Sequence, residues 1–391
     1  MNQLQDLRVI ELASVLAGPS VGQFFAELGA EVIKVENLKS GGDVTRTWKL
    51  SGEQTDDRSA YFCSVNWGKK SIAIDLSTKE GRQIVYDLAK DADIVIASYK
   101  PGDAEKLKAD YQTLRQLNPQ LIYGQITGYG SANPRVGYDA IIQAEAGFMS
   151  MNGEPGGRSL KMPVALIDVL AGHHLKEGLL LAMLEKMKTG EGKLVEVSLI
   201  QAAVSSLVNQ ATNWLVAKRL PAKQGSAHPN IAPYGDVFLT CDKKELLLAV
   251  GTDRQFIDLC KILGIDVGQV ERFTTNNLRV DFRSELNDIL SNLISKHHAS
   301  PLLAELNAFK IPAGLIQSVE DVFRMPDIES ILLKSQQFEG VKTYVGNATS
   351  ADFSHFQPPP SLGGDTDEIL QKRLHYSLET IKSLRGSGVI N

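Results

Sequence analysis

The chain has 391 residues, 43% of them hydrophobic, which is enough to bury a sizeable core and long enough to favour two domains over one. A formal charge of -5, with Lys and Arg interspersed among Asp and Glu, excludes the concentrated basic surface that a nucleic-acid partner requires. Cys63, Cys241 and Cys260 are far apart with no C-x-x-C pairing, no apolar run approaches the roughly 18 residues of a membrane span, and the opening MNQLQDLRVIEL lacks an apolar signal core. The expectation is a cytoplasmic protein without disulfide framework, zinc knuckle or membrane partner.

In chain order, residues 8–12 and 31–36 read as strands around a helix from about Pro19 to Leu28, with Pro19 suited to the first turn and Gly29 to the stop. Residues 71–76 read as a third strand. The stretch 78–90 is an amphipathic helix with Ile84, Val85, Leu88 and Ala89 on one face. Strands at 93–98 and 121–127 follow, and such alternation favours a parallel, doubly wound sheet. A long helix at 165–188, preceded by Pro163 and stopped by Gly190, leads to a strand at 193–198 and a helix at 199–218. From about Gly225 the texture changes to short strands (237–239, 245–250) and short helices. The expected layout is a large domain over 1–198, a linker helix over 199–224, a small domain over 225–318, a linker over 319–352 and a return to the large domain over 353–391.

Metal and nucleotide motifs are missing at the level of spacing. His173 and His174 are adjacent and point about 100° apart on a helix, without the i, i+4 spacing of H-E-x-x-H. His297 and His298 have no neighbouring cluster of acids or cysteines, Gly68-Lys69-Lys70-Ser71 lacks the upstream glycine of a P-loop, and no G-x-G-x-x-G follows a strand. Gly18-Pro19-Ser20-Val21-Gly22 matches G-x-S-x-G, but the elbow needs its serine directly after a strand, and Pro19 suits an ordinary helix start.

Eight blocks carry more information together: LAGPSVGQFFAELGAEVIKVE (16–36), SVNWGKKSIAIDLSTKEGR (64–82), LIYGQITGYG (121–130), GYDAIIQAEAGFMSMNGEP (137–155), PVALIDVLAGHHLKEGLLLAMLEKMKTGEGKLVEVSL (163–199), GSAHPNIAPY (225–234), IPAGLIQSVEDVF (311–323) and GGDTDEIL (363–370). In order and spacing they resemble the family III (CaiB/BaiF-type) CoA-transferases over most of the chain. The resemblance implies an α/β fold: a Rossmann-like large domain with a parallel sheet built from both chain ends, a smaller central α/β domain, and an interlocked homodimer. It implies an enzyme moving CoA from an acyl-CoA to a carboxylic acid, with no cofactor beyond CoA. The texture of residues 209–234 resembles members that act on dicarboxylates such as succinate and glutarate.

By the same resemblance the nucleophile is Asp168, in a P-x-x-x-x-D-x-x-x-G context with Pro163 and Gly172. An aspartate in a first helical turn otherwise serves to complement the helix dipole. That position is expected to keep the carboxylate ionised at neutral pH, with Ala171 and Gly172 leaving room for substrate. The implied CoA contacts are Val15, Leu16 and Ala17 in the first turn, Ser98 and Tyr99 after the fourth strand, and Lys39, Lys69 and Lys106 on the phosphates. Tyr138 and Asp139 are implied active-site neighbours, and loops such as 153–158 or 225–230 are the expected covers that keep water out. His228 in the second loop is a candidate for facing substrate, and it or Arg219 for pairing with a distal carboxylate. Relatives often carry ENF where this chain has Ala97-Ser98-Tyr99, and Arg at the place of Trp67. Two alternatives stand beside transfer. One is a 2-methylacyl-CoA racemase on the same fold, disfavoured because Tyr138 replaces the histidine of its GHD motif; the other is a thioesterase through Ser20.

Overall fold

The computed structural model describes residues 4–265, 271–346 and 356–391; residues 347–355, where the expected linker gives way to the return segment, lie outside the described residues. The chain divides into two compact units. One comprises Met1–Ala146, Met162–Val208 and Ser330–Asn391; the other comprises Gly147–Lys161 and Asn209–Glu329.

The first unit is built on six parallel strands: β1 (Arg8–Leu12), β2 (Glu31–Asn37), β3 (Lys70–Ile74), β4 (Ile94–Ala97), β5 (Ile122–Thr127) and β6 (Leu194–Ser198). Their order is β3-β2-β1-β4-β5-β6, that of a doubly wound dinucleotide-binding sheet. Val9 of β1 pairs with Val32 of β2 on one side and Ile94 of β4 on the other. Runs such as Ile94-Val95-Ile96-Ala97 are buried throughout, as parallel strands covered on both faces must be.

Among the described residues every strand of this sheet therefore comes from residues 8–198, which corrects the expectation of a sheet built from both chain ends. Among the described residues the returning segment adds no strand to this sheet; it contributes an antiparallel bridge from Ile390 to Ile74 and single backbone bonds such as Asp75 N–H···O=C Val389 (2.8 Å) and Asp365 N–H···O=C Ser71 (3.0 Å). Pro358-Pro359-Pro360 remove three donors in succession, so this stretch cannot extend a ladder. It contributes apolar side chains instead: Ile369, Leu370, Ile381 and Leu384 belong to the same core cluster as Ile72, Ile74, Ile84 and Leu88.

The helices obey local rules with small displacements. Helix α1 (Ala17–Glu27) starts two residues before Pro19, which still lies in the first turn where no N–H is needed, and Gly29 ends it at φ 96°. Helix α2 (Lys79–Ala89) is capped by Thr78, whose Oγ1 accepts the Gly81 N–H at 3.0 Å. Helix α3 (Asp139–Glu145) precedes the long α4 (Leu166–Thr189), which stops at Gly190 with φ 74°. The single helix expected over 199–218 is two helices, α5 (Leu199–Ser205) and α6 (Val208–Leu215). Ser206 turns its hydroxyl back onto the Ala202 carbonyl (2.8 Å) and Val208 sits at φ 45°, so the backbone cannot continue.

The second unit holds an antiparallel sheet, β7 (Tyr234–Leu239), β8 (Glu245–Ala249) and β9 (Ala313–Leu315), in the order β7-β8-β9. Helices at Asp253–Ile262, Arg283–Ile294 and Ala299–Ala308 pack a core of Phe238, Leu246, Leu248, Phe256, Leu290 and Leu306 with it. Its antiparallel pairing gives it α+β rather than α/β character. The fold also brings Cys241, Asp242 and His298 together, correcting the reading of His298 as remote from acids and cysteines. Asp242 already has structural work there: its Oδ1 accepts from Thr240 Oγ1 (2.8 Å) and from the Ala299 N–H (3.0 Å). Among the described residues no helix is long and apolar enough to cross a membrane.

Candidate active site

Chain order reverses between β1 and β4, and in open α/β sheets ligands bind outside the carboxyl ends of the strands at that switch point. A cavity of about 410 Å³ opens there, lined by Val15 and Ala17 after β1, Ser98 and Tyr99 after β4, and Tyr138, Asp139 and Asp168 from α3 and α4. Beside it lies a second cavity of about 360 Å³, bounded by Ser14, Lys39, Asp75, Ser77, Ser98 and Tyr99.

Asp168 is the third residue of α4 and is 8% exposed. The N-cap position, Ala165, has no side chain that could accept the free N–H groups. Asp139 takes over: its Oδ2 accepts the Ile167 N–H at 2.7 Å, while its Oδ1 accepts from Gln143 Nε2 at 2.7 Å. Gln143 in turn accepts the Met162 N–H at 2.8 Å, so α3 fixes the start of α4. Asp168 itself makes no hydrogen bond to any described residue. Burial first, and the Asp139 charge second, push its carboxyl up to about 7. This corrects the expectation of a fully ionised carboxylate, because desolvation and a like charge outweigh the helix dipole.

The turn after β1 is held from below. Val15 sits at φ 74°, an unfavourable region for a β-branched residue, and its N–H is shared by both Asp43 oxygens at 3.3 Å. Asp43 pairs with Lys34 at 2.9 Å, and Lys34 also reaches Glu11 (2.9 Å) and the Ala13 carbonyl (2.8 Å). Burial opposes ionisation of Asp43, but Lys34 and the Thr45 donors hold it below the usual carboxylate range. Burial likewise pulls on the Lys34 ammonium, and Asp43 and Glu11 more than restore it.

Lys69 belongs to this network, which corrects its assignment to a phosphate. Its side chain is buried against Glu11 (2.7 Å), the Pro19 carbonyl (2.9 Å) and Asn66 (2.8 Å), and burial brings its ammonium down to about 8 despite Glu11. Lys39 does face the second cavity, paired with Asp75 at 2.7 Å. Lys106 pairs with Asp103 at 3.0 Å on the surface and lines neither cavity; Leu16, half-buried at the start of α1, lines neither as well. Ser98 Oγ accepts the Ser14 N–H at 3.2 Å, joining the two turns.

His228 and Arg219 belong to the second unit and not to the unit that carries this cavity. His228 Nδ1 accepts the Asn230 N–H at 3.1 Å, and its ring meets Tyr234 edge-on at 5.2 Å. Gly172 is a packing device rather than substrate room: a Cβ there would lie 2.5 Å from Ser20 Oγ and 3.2 Å from the Ala17 carbonyl. Ser20 is buried and donates to that carbonyl at 2.8 Å, so it is no exposed elbow nucleophile.

Sequence reasoning passed over Trp48, Lys100 and Arg135, which also line the Asp168 cavity. It passed over Tyr61 too, edge-on to Trp48 at 5.1 Å, whose phenol is pushed up to about 12 by burial and the charges of Asp168 and Asp139. The available signals were an aromatic in the otherwise polar TRTWK and an arginine two residues ahead of Gly137.

The model of CoA-transferase family III matches residues 4–366. The chain is 39% identical over 394 aligned residues to the succinate–glutarate CoA-transferase of Agrobacterium fabrum, covering 97% of this chain and 96% of that protein. Against the succinyl-CoA:glutarate CoA-transferase of Homo sapiens the identity is 32%, over 99% and 90% of the two chains. A CAIB/BAIF family protein from Brucella suis superimposes with a TM-score of 0.84 at 38% identity, covering 95% of this chain and 99% of the other. With the parallel sheet and the cavity at its switch point, these matches make the chain a CoA-transferase enzyme, a member of CoA-transferase family III.

Proposed function

We propose that the enzyme transfers CoA between dicarboxylic acids, from a donor such as succinyl-CoA to an acceptor such as glutarate, through a thioester formed on Asp168. The observation that carries this reading is a buried carboxyl, without a hydrogen-bonding partner among the described residues, lining the cavity at the sheet's switch point. Desolvated in this way, the ionised form is a stronger nucleophile than a hydrated carboxylate. Asp168 attacks the thioester carbonyl; the C–S bond breaks, and CoA thiolate leaves behind a mixed anhydride. The thiolate attacks the aspartyl carbonyl, releasing the donor acid and leaving aspartyl-CoA. The acceptor carboxylate then repeats both steps in reverse order, and Asp168 is regenerated without ATP, metal or a further cofactor.

The second cavity suits the nucleotide end of CoA, with Lys39 toward its phosphates and Tyr99 between the two cavities. An exposed apolar row on α4, Leu181, Leu184 and Met187, supports association with a second copy of the chain as a homodimer. Relatives named for succinate and glutarate support the dicarboxylate class. One observation favours a second reading: a carboxyl titrating at about 7 also suits proton transfer, as a racemase of 2-methylacyl-CoA thioesters would use it.

The test is intact-protein mass spectrometry after mixing with succinyl-CoA alone, then with glutarate. A CoA adduct on the peptide containing Asp168, discharged by glutarate as glutaryl-CoA and missing in Asp168→Ala, is the expected result. No adduct and no new thioester, with inversion of a chiral 2-methylacyl-CoA, would replace transfer by racemisation.

A further inference from the structure

Among the described residues the cavity that holds Asp168 has four charged lining residues, Asp139, Asp168, Lys100 and Arg135. A dicarboxylate brings two negative charges to a wall that already carries two carboxyl groups. One of its carboxylates has to reach Asp168, and the other needs a cation if the dianion is to enter at all.

Arg135 is built to be that cation. Its Nη2 donates to Glu145 Oε1 at 2.6 Å, its guanidinium lies 4.2 Å from the Tyr129 ring centroid, and the Tyr129 hydroxyl donates to Glu145 Oε2 at 2.7 Å. Its own N–H donates to Asn133 Oδ1 at 3.0 Å, which fixes the loop that carries it. The guanidinium is thus held by one corner and one face. A guanidinium has five N–H donors in a rigid fork, and the remaining ones match a carboxylate in bidentate geometry. At 55% side-chain exposure, Arg135 is open to a ligand. Among the described residues nothing braces Lys100 comparably; it offers a point charge on a flexible stem, which offsets charge without selecting shape.

We propose that Arg135 reads the distal carboxylate of the acceptor acid and so makes the enzyme selective for dicarboxylates over monocarboxylates of equal length. This rests on the CoA-transferase reading above. Glu145 and Tyr129 are positioning residues that aim the guanidinium.

The experiment compares glutarate with pentanoate as acceptors in the wild type and in Arg135→Gln, Arg135→Lys and Lys100→Gln. Exchange between butyryl-CoA and pentanoate, which involves no distal carboxylate, reports an intact site. The expected result is a roughly 10- to 100-fold fall in the glutarate-to-pentanoate ratio of kcat/KM for Arg135→Gln. It is carried by the glutarate KM, with a smaller fall for Arg135→Lys and a loss in butyryl–pentanoate exchange well below the loss on glutarate. An unchanged ratio, an equal loss for both acids, or a collapse of the ratio in Lys100→Gln instead would overturn the assignment. Wild-type protein that transfers CoA to neither acid would overturn the transferase reading itself, a result distinct from any change in the ratio.

Discussion

The Asp139 carboxylate accepts the N–H of Ile167 at 2.7 Å and thereby presses its charge on the next residue, Asp168. The group that caps the start of the long helix is also a group that raises the Asp168 carboxyl. Because the Asp168 carboxyl titrates at about 7, kcat/KM is expected to rise with pH through that value as the carboxylate forms. Asp139→Asn removes the charge while its amide oxygen can still accept from Ile167. The rising limb should then move to lower pH, and a limb that stays in place or moves up would show that Asp139 does not set it.

Burying an ionisable group at position 168 costs stability, and the sign is definite. The folded-state value for Asp168, about 7, lies above the ordinary aspartate value of about 3.9. Between those values the native state binds more protons than the unfolded chain. This contribution is therefore fully present at low pH and lost as pH rises through about 7. Asp168→Asn should be inactive yet more stable than wild type at pH 8, by up to a few kcal/mol, and nearly equal to it near pH 4. Denaturant melts at the two pH values measure this, and a variant less stable than wild type at pH 8 would contradict it.

Asp43 is pinned by Lys34 and pins Val15. Asp43→Ala leaves a buried ammonium short of one partner and the Val15 N–H unpaired. The expected loss is about 3–5 kcal/mol, with a raised KM for the acyl-CoA from a loosened first turn. Lys34→Met should cost at least as much, since it takes the shared cation from the buried Asp43 and Glu11 carboxylates. Urea denaturation with KM measurements on both variants provides the comparison.

The contact of α1 with α4 depends on Gly172 facing Ser20. Gly172→Ala should cost about 1–3 kcal/mol by overpacking. Ser20→Ala, which removes the clashing hydroxyl, should recover part of that loss in the double variant even though it sacrifices a hydrogen bond on its own. Additive losses in a double-mutant cycle would mean the two positions are not in contact.

The strands of the parallel sheet were legible because strands covered on both faces are short apolar runs bounded by glycine, proline and caps. The places of Asp168, Tyr138, Asp139, Ser98 and Tyr99 around one cavity followed from the family's block order. What sequence could not convey was the environment of charge. Lys69 reads as a surface cation beside a strand, and only the fold places Glu11 against it. The ionisation of Asp168 is set first by burial and then by Asp139 in a different helix. The break at Val208 sits inside an apparently continuous helical pattern, set by a backbone turn rather than by a proline or glycine. Arg135 went unread because a charge in a loop says nothing about what it faces.

Synthesis runs in one direction, and the strand order gives that direction a cost. The parallel sheet is complete at Ser198, whereas Ile390, which bridges to edge strand β3 at Ile74, emerges long afterwards. Until Ile381, Leu384 and Val389 arrive, the core cluster containing Ile72 and Ile84 lacks part of its cover and β3 has no partner on its outer side. A nascent chain spends much of its translation with a sticky edge, the kind of surface that recruits foreign strands. Lesions that stall or truncate synthesis late should accordingly give insoluble protein even though every cavity-lining residue has already been made.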